Sequence, residues 1–414
     1  MLSEPFVGGD AIQKILITPP VGNDRTLNAA HTRAATQLTN AGFEIQNNNG
    51  KTRFGLTTIE NTVVKVGDAF VFLPIPEQIP VLRAKHADEL FRVGFKAASL
   101  FVGGQTNDPN LHILNNPELA NKPVILFNKN KCYDWFLSIV DHLVDMGTIK
   151  PHQRALFQEV ETQEQMMEVL KNAHTKKTQD MATHGTVKVQ QTKEEIEAQQ
   201  ADPDEKRKPD FNVCVFCSAS TKNQELLDIA YKVGHDIASQ GWGVISGLGR
   251  ESMMGKVCEG ATHVINTQGK GWVGGSNLQR IIQYEGLPDH YDKIWLKDDI
   301  YNRMDAMIKN SQGFVIMPGG MGTVQEMMAL LSLRHSKVPE EAALMRDEKG
   351  GRKPIIVVNQ ELEKDGEKKK FWKPVIEMAN RFGFKDDIIV VNTVEEAMEK
   401  LKTYKAELGQ AAAR

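Results

Sequence analysis

From residue 211 onward, short apolar runs alternate with segments in which apolar residues recur every three or four positions. The runs FNVCVFCSAS, GWGVISGLG, KIWLK, GFVIMPGG, KPIIVVNQ and DIIVVN are predicted strands. Between them, helices are predicted over Asn223 to Ser239, from SMMGKVCEGATH, over NRMDAMIKNS, through Arg334, over Phe371 to Arg381 and over TVEEAMEKLKTYKAEL. Strands that are apolar on both faces, separated by amphipathic helices, predict an α/β fold with a parallel sheet covered on both sides.

The N-terminal part repeats this pattern. KILITPP resembles the first strand, AATQLTNAGFEIQ resembles GHDIASQGWGVIS, GDAFVFLP resembles QGFVIMPG, and KPVILFN resembles KPIIVVN. WFLSIVDHLVDMGTI with ETQEQMMEVL parallels FWKPVIEMANRFGF with TVEEAMEKL. Between the two copies, residues 172–210 are polar, highly charged and poor in large apolar side chains, as in a linker. The expected organisation is therefore an internal duplication: a first copy over 1–171, a charged linker over 172–210 and a second copy over 211–414. With Pro74 set against Pro318, the first copy has IPEQIPV where the second has glycines, Ile59 against Arg303 and Leu82 against Glu326. It also lacks the stretch GLGRESMMGKVCEGATHVINTQGKGWVGGSN, so it reads as a scaffold without a site.

Composition narrows the function classes. The chain has 414 residues, a formal net charge of -3, 41% hydrophobic and 25% charged residues, which suits a soluble protein and gives no basic excess for nucleic acid. No apolar run approaches the roughly 18 residues of a membrane span, and MLSEPFVGGDAIQK lacks the order of a signal peptide. A cytoplasmic protein with no membrane partner is expected. Cys132, Cys214, Cys217 and Cys258 are too few for a disulfide framework. Cys214 and Cys217 form C-x-x-C inside a predicted strand without a second ligand pair, and read as structural.

Chemistry concentrates in GFVIMPGGMGTVQEMMALLSLRHSK, Gly313 to Lys337. A parallel strand that ends in Pro318-Gly319-Gly320 and turns through Gly322 and Thr323 into a helix presents free backbone N–H groups and the helix's positive end at the carboxyl edge of the sheet. Such an edge binds anions, glycine lets a phosphate approach, and the Thr323 hydroxyl can donate to it. Glu326 could be a first-turn carboxylate in a capping box with Thr323; beside a phosphate it would be costly unless used.

PGGMGTVQE, Pro318 to Glu326, fits the P-G-G-x-G-T-x-x-E signature of the Lonely Guy (LOG) family of nucleoside 5'-monophosphate phosphoribohydrolases, long misnamed lysine decarboxylases. VCVFCSAS resembles that family's opening strand, SGLGRESMMGKVCEGA its glycine loop and helix, and NRMDAM its arginine-bearing helix. The resemblance covers about Phe211 to Leu401 and implies a Rossmann-like fold that hydrolyses the N-glycosidic bond of a nucleoside monophosphate to free base and ribose 5-phosphate. It implies Arg303 and Glu326 as the catalytic pair. It further implies a 5'-phosphate cradle of Pro318, Gly319, Gly320, Gly322 and Thr323, an opposite loop of Gly247, Gly249, Met254 and Gly255, and contributions from Ser276 and Asn277. No metal and no cofactor are called for, and a homo-oligomer is expected. His335 reads equally as a helix-end or a site residue. Where the family's glycine loop carries three consecutive glycines, this chain has Gly247, Leu248, Gly249 and Arg250, so Leu248 or Arg250 is expected to reshape the pocket. GGSNLQRIIQYEGLPDHYD resembles the larger bacterial nucleotide nucleosidases, favouring a general nucleotide over a cytokinin. The alternatives are a nucleotide sensor or cofactor carrier without turnover, which would not need Glu326, and a decarboxylase, which would need a pyridoxal-bearing lysine that the signature lacks.

Overall fold

The computed structural model describes residues 10–11, 14–17, 44–46, 69–72 and most of 124–175, then 191–412 apart from 299 and 337. The chain divides into two compact units: Met1–Asp145 with Ile149–Thr186, and Met146–Thr148 with Val187–Arg414. Ile59, Leu82 and the segment 75–81 lie outside the described residues, as does Cys132.

Among the described residues of the first unit, besides a short antiparallel pair of Asp10–Ala11 with His174–Thr175, lie the strands β1 (Lys14–Ile17), β2 (Glu44–Gln46), β3 (Ala69–Phe72), β4 (Val124–Phe127) and β5 (Phe157–Val160). Strands β1 to β5 form one sheet in the order β2-β1-β3-β4-β5, every neighbouring pair parallel. Helix α1 (Asp134–Asp145) turns Phe136, Leu137, Ile139, Val140 and Leu143 inward, the spacing of one helical face. Phe136 meets Phe157 of β5 edge to face, with ring centroids 4.9 Å apart. Helix α2 (Gln163–Asn172) follows β5.

The second unit is built on seven strands: β6 (Asn212–Phe216), β7 (Gly243–Ser246), β8 (Trp272–Leu278), β9 (Lys293–Lys297), β10 (Gly313–Ile316), β11 (Ile355–Val358) and, after the hairpin strands β12 (Glu361–Lys364) and β13 (Glu367–Lys370), β14 (Ile389–Val391). The sheet order is β9-β8-β7-β6-β10-β11-β14, parallel throughout, as the sequence pattern predicts. Its helices are α3 (Lys193–Ala198), α4 (Gln224–Ser239), α5 (Ser252–Gln268), α6 (Gln279–Glu285), α7 (Ile300–Lys309), α8 (Met321–Arg334), α9 (Pro339–Ala343), α10 (Lys373–Arg381) and α11 (Val394–Ala412). Local signals set several ends. The Asn223 side chain accepts from Leu226 N at the start of α4, and Gly269 closes α5 with φ 64.

The chain runs outward from β6 through β7 and β8 to β9, then returns to the other side of β6 as β10. α4 and α5 pack against each other, and the right-handed crossovers that parallel strands favour would set α7 and α8 on the opposite face. The reversal between β6 and β10 leaves a crevice at their carboxyl ends, where open α/β sheets bind ligands. Beyond the strands the backbone ladder continues, Met317 N donating to Phe216 O (2.8 Å) and Ser218 N to Pro318 O (3.1 Å), so the rim of the crevice is held in register.

The second half of the expected linker is not loose. A capping box at Thr192 starts α3, and the Ile196 it carries is buried. Ala201 N and Asp202 N then donate to Tyr291 O and Asp292 O, tying the chain to residues just ahead of β9. Asp202 accepts from the Lys206 and Arg207 amides and from Trp272 Nε1, while buried Asp292 accepts from Arg207 Nη2 (2.6 Å) and Val273 N (2.7 Å). Charges that a linear reading assigns to solvent are here paired with one another and with backbone donors, the condition for burying them. Residues 192–210 are part of the second unit.

Candidate functional site

Helix α8 defines the site. From Met321 to Leu333 every residue is buried except Gly322 and Glu326. These two are one turn apart, so a helix otherwise sunk in the protein opens along a single line. Gly320 is the N-cap, with no side-chain capping bond, and the first turn holds no acidic residue. Glu326 therefore sits in the second turn, and the capping box with Thr323 is not formed. Thr323 lies three residues before Glu326 on the same side of the helix. A Cβ on Gly319 would fall 2.1 Å from Thr323 Oγ1, so glycine is required for the threonine to fold back over the strand end.

Arg303 comes from α7 and is 8% exposed. Its Nε donates to the Ser276 carbonyl at the end of β8 (3.0 Å), and Nη1 lies 3.5 Å from Glu326 Oε1. One edge of the guanidinium is thus anchored on the sheet while the other faces the carboxylate. Burial pushes the Glu326 carboxyl up from 4.5 to about 7; Arg303 works against that shift, and the negative charge of Glu285 adds to it. Glu326 in turn helps to raise the thiols of Cys214 and Cys217, already held up by burial, which places its charge against β6 beneath the crevice. Cys214, Cys217 and Cys258 are free and buried, in keeping with structural cysteines.

The loop after β7 closes the other wall. A Cβ on Gly247 would stand 2.2 Å from Arg303 Nη2 and 3.0 Å from Met254 Sδ; one on Gly249 would meet Met254 Cε at 2.6 Å and Glu285 Oε2 at 2.8 Å. The glycines make room for the arginine, the methionine and a second carboxylate. Gly255 lets α5 approach the loop, since a Cβ there would lie 1.8 Å from Arg250 O. Leu248 turns into the interior against β8. It takes a left-handed conformation (φ 51), is fully buried, and packs where a Cβ on Gly275 would come 2.5 Å from its Cγ. Arg250 is exposed and lies 3.2 Å from Asp289 Oδ1.

The structure thus brings Gly247, Gly249, Met254, Arg303 and Glu326 together, with Pro318, Gly319, Gly320, Gly322 and Thr323 on the opposite rim. Ser276 enters through its backbone, because its hydroxyl donates to Trp295 O (2.7 Å). Asn277 is fully buried, its Oδ1 accepts from Leu278 N, and its Nδ2 has no hydrogen-bond partner. His335 belongs elsewhere: it C-caps α8, about 13 Å along the helix from Glu326 by its rise per residue, and bonds Asp387 Oδ2 at 2.6 Å. Glu285 was not a sequence candidate: it lies within GGSNLQRIIQYEGLPDHYD, but nothing in that stretch singles it out. No cluster of three or more metal-ligating side chains and no helix long and apolar enough to cross a membrane occurs among the described residues.

Residues 254–404 match a family model described as possible lysine decarboxylase. A cytokinin riboside 5'-monophosphate phosphoribohydrolase of Mycobacterium tuberculosis (strain ATCC 25618 / H37Rv) is 35% identical over 119 residues, 28% of this chain and 60% of the relative. A probable enzyme of the same name from Oryza sativa subsp. japonica is 21% identical over 198 residues, covering 46% of this chain and 79% of its own. The chain therefore spans 60% of the length of the mycobacterial relative. Among solved structures, the molybdenum cofactor binding protein of Rippkaea orientalis aligns with 48% of this chain and 98% of its own, at 18% identity and a TM-score of 0.34.

Proposed function

We propose that this chain, whose second unit belongs to the Lonely Guy family, hydrolyses the N-glycosidic bond of a nucleoside 5'-monophosphate to free base and ribose 5-phosphate. The observation that carries the reading is the Arg303–Glu326 pair, with Nη1 and Oε1 3.5 Å apart, set beside the uncapped start of α8. The 5'-phosphate would lie on the α8 N-terminus, among Gly319, Gly320, Gly322 and the Thr323 hydroxyl, where backbone N–H groups and the helix dipole favour a dianion. That anchorage holds the anomeric carbon near Glu326. As the C1'–N bond stretches, positive charge grows on the sugar, and an ionised Glu326 stabilises it while taking a proton from the attacking water. The departing base leaves with the bonding pair and takes up a proton. Arg303, fixed by the Ser276 carbonyl, orients Glu326 and grips phosphate or ribose oxygens.

The first unit, in this reading, is a degenerate copy of the fold that supports the second. The site is on one unit and the protein is a homo-oligomer with a cytoplasmic setting. The nine-residue signature contains no lysine, which speaks against a pyridoxal decarboxylase.

The experiment is incubation of the purified chain with a panel of purine and pyrimidine nucleoside monophosphates and their unphosphorylated nucleosides, followed by chromatography of the free bases. Base release from nucleotides, with nucleosides far slower, is the expected result. Tight nucleotide binding with no base released from any member would replace the hydrolase by a sensor or carrier.

A further inference from the structure

Glu285 stands outside the signature and outside the pair just described, yet three features place it in the same site. Its Oε2 lies 2.8 Å from where a Cβ on Gly249 would be, next to Met254 Cε, whose sulfur in turn borders the place of Arg303 Nη2 at Gly247. Its backbone carbonyl accepts from Arg250 N (3.3 Å), so the end of α6 is clamped onto the glycine loop. Its charge is felt at Glu326, where burial is the main cause of the raised carboxyl and Glu285 the smallest.

Where Glu285 can act follows from the sheet. The phosphate cradle follows β10 and the glycine loop follows β7, with β6 between them. Two strand spacings separate the two walls by about 10 Å. A carboxylate beside a phosphate dianion would repel it, whereas across that gap it faces the uncharged part of a nucleotide whose phosphate is on α8. Accepting hydrogen bonds is what an ionised carboxylate does there. Resting on the nucleotide reading above, we infer that Glu285 is the substrate-facing carboxylate of the nucleoside half of the site, accepting a hydrogen bond from a neutral donor of the substrate, the ribose 2'-hydroxyl or an exocyclic amine of the base. It is a specificity residue: substrates lacking the donor forgo that hydrogen bond.

The test compares wild type, Glu285→Gln and, as a second variant that leaves the carboxylate in place but crowds it, Gly249→Ala. Each is measured with AMP, 2'-deoxy-AMP and IMP for kcat/KM and for binding relative to ribose 5-phosphate. Glu285→Gln should lower kcat/KM on the preferred ribonucleotide by about 10- to 100-fold, the scale of a lost charged hydrogen bond. If the donor is the 2'-hydroxyl, the penalty disappears with 2'-deoxy-AMP; if it is the amine, it disappears with IMP. Gly249→Ala should show the same selectivity in smaller measure. A Glu285→Gln enzyme within twofold of wild type on all three substrates overturns the inference, as does an equal loss on all three. Should wild type release no base at all, the hydrolase reading fails alone, and Glu285 is then judged by binding: loss in Glu285→Gln of the wild-type preference for AMP over 2'-deoxy-AMP or over IMP supports it, and unchanged preferences among the three remove it.

Discussion

The two units share five parallel strands in the same order, β2-β1-β3-β4-β5 in the first and β7-β6-β10-β11-β14 in the second. They part between the second and third strands of that shared set. In the first unit 22 residues intervene between Gln46 and Ala69; in the second, 66 lie between Ser246 and Gly313. The longer passage builds α5, β8, α6, β9 and α7, and with them Met254, the Ser276 carbonyl, Glu285 and Arg303. A parallel sheet needs only its apolar strands and helices to fold, and both units have those. Chemistry needs a wall facing the crevice, and one insertion supplies it. The comparison supports a duplication in which one copy kept the scaffold and the other carries the candidate site.

The largest effect should come from Glu326, the carboxylate against which the sequence alignment of the two copies sets Leu82. Glu326→Gln keeps size and removes charge, so base release should fall about a thousandfold while nucleotide binding stays within a few fold. Turnover at the wild-type rate would take Glu326 out of the reaction and erase the sharpest difference between the units. Arg303→Lys should cost about a hundredfold, because a point charge cannot hold the Ser276 carbonyl and face Glu326 together.

Acidity gives the next effect. With Glu326 at about 7 and the ionised form active, kcat/KM should rise about tenfold per pH unit below that value and flatten above it. Stability moves the other way. A folded pKa above the ordinary 4.5 favours the protonated form, so the contribution of Glu326 to stability is full below about 4.5 and is lost as pH rises through about 7. Glu326→Gln should then melt a few degrees higher than wild type at pH 8 and show no such gain at pH 4.5. A rate profile flat from pH 5.5 to 8 would remove the perturbed carboxyl from catalysis.

A smaller loss is expected from Gly247→Ala. The added methyl meets Arg303 Nη2, the free end of a long side chain, and Met254 Sδ. Both can yield, so melting should change by no more than about 2 °C while kcat falls several fold through the displaced guanidinium. A variant that melts early and keeps its kcat would make Gly247 a folding residue and loosen the tie between the glycine loop and the pair.

The strands β6, β7, β9, β10, β11 and β14 were legible as apolar runs, and Arg303 and Glu326 as a spaced pair with a motif to anchor them. β8 was not, because Gly274 and Gly275 in its middle read as a loop; the neighbouring strands bury all seven of its residues and make it a strand regardless. The strap over 192–210 was hidden by composition: Asp202, Arg207 and Lys208 look solvated until their partners, 70 to 102 residues away, are known. Glu285 was hidden for the same reason, since what marks it is proximity to Gly249 and not spacing. Leu248 was legible as a departure but not in its consequence, which depends on a left-handed turn that sends the side chain into the groove over Gly275.

The smallest effect expected is the one that bears most directly on the comparison: a second site that adds nothing. The first unit keeps its parallel sheet with only a short passage where the second has the wall of its candidate site, and by sequence it sets Ile59 and Leu82 at the places of Arg303 and Glu326. Apolar side chains can neither hold a phosphate nor stabilise an oxocarbenium ion, and the sequence of residues 1–171 contains no Pro-Gly-Gly. Titrating the full-length Glu326→Gln protein with its preferred nucleotide in a calorimeter should therefore give one site per chain. The substitution prevents turnover from depleting the ligand, and it leaves the α8 cradle intact, so the count reads binding alone. Gly319→Val in the same background should abolish the heat, because its side chain would occupy the place of Thr323 Oγ1, and the residual count should be zero. Two equivalent sites, or one that survives Gly319→Val, would mean that the first unit binds nucleotide by means its sequence does not display, and the division into scaffold and site would have to be redrawn.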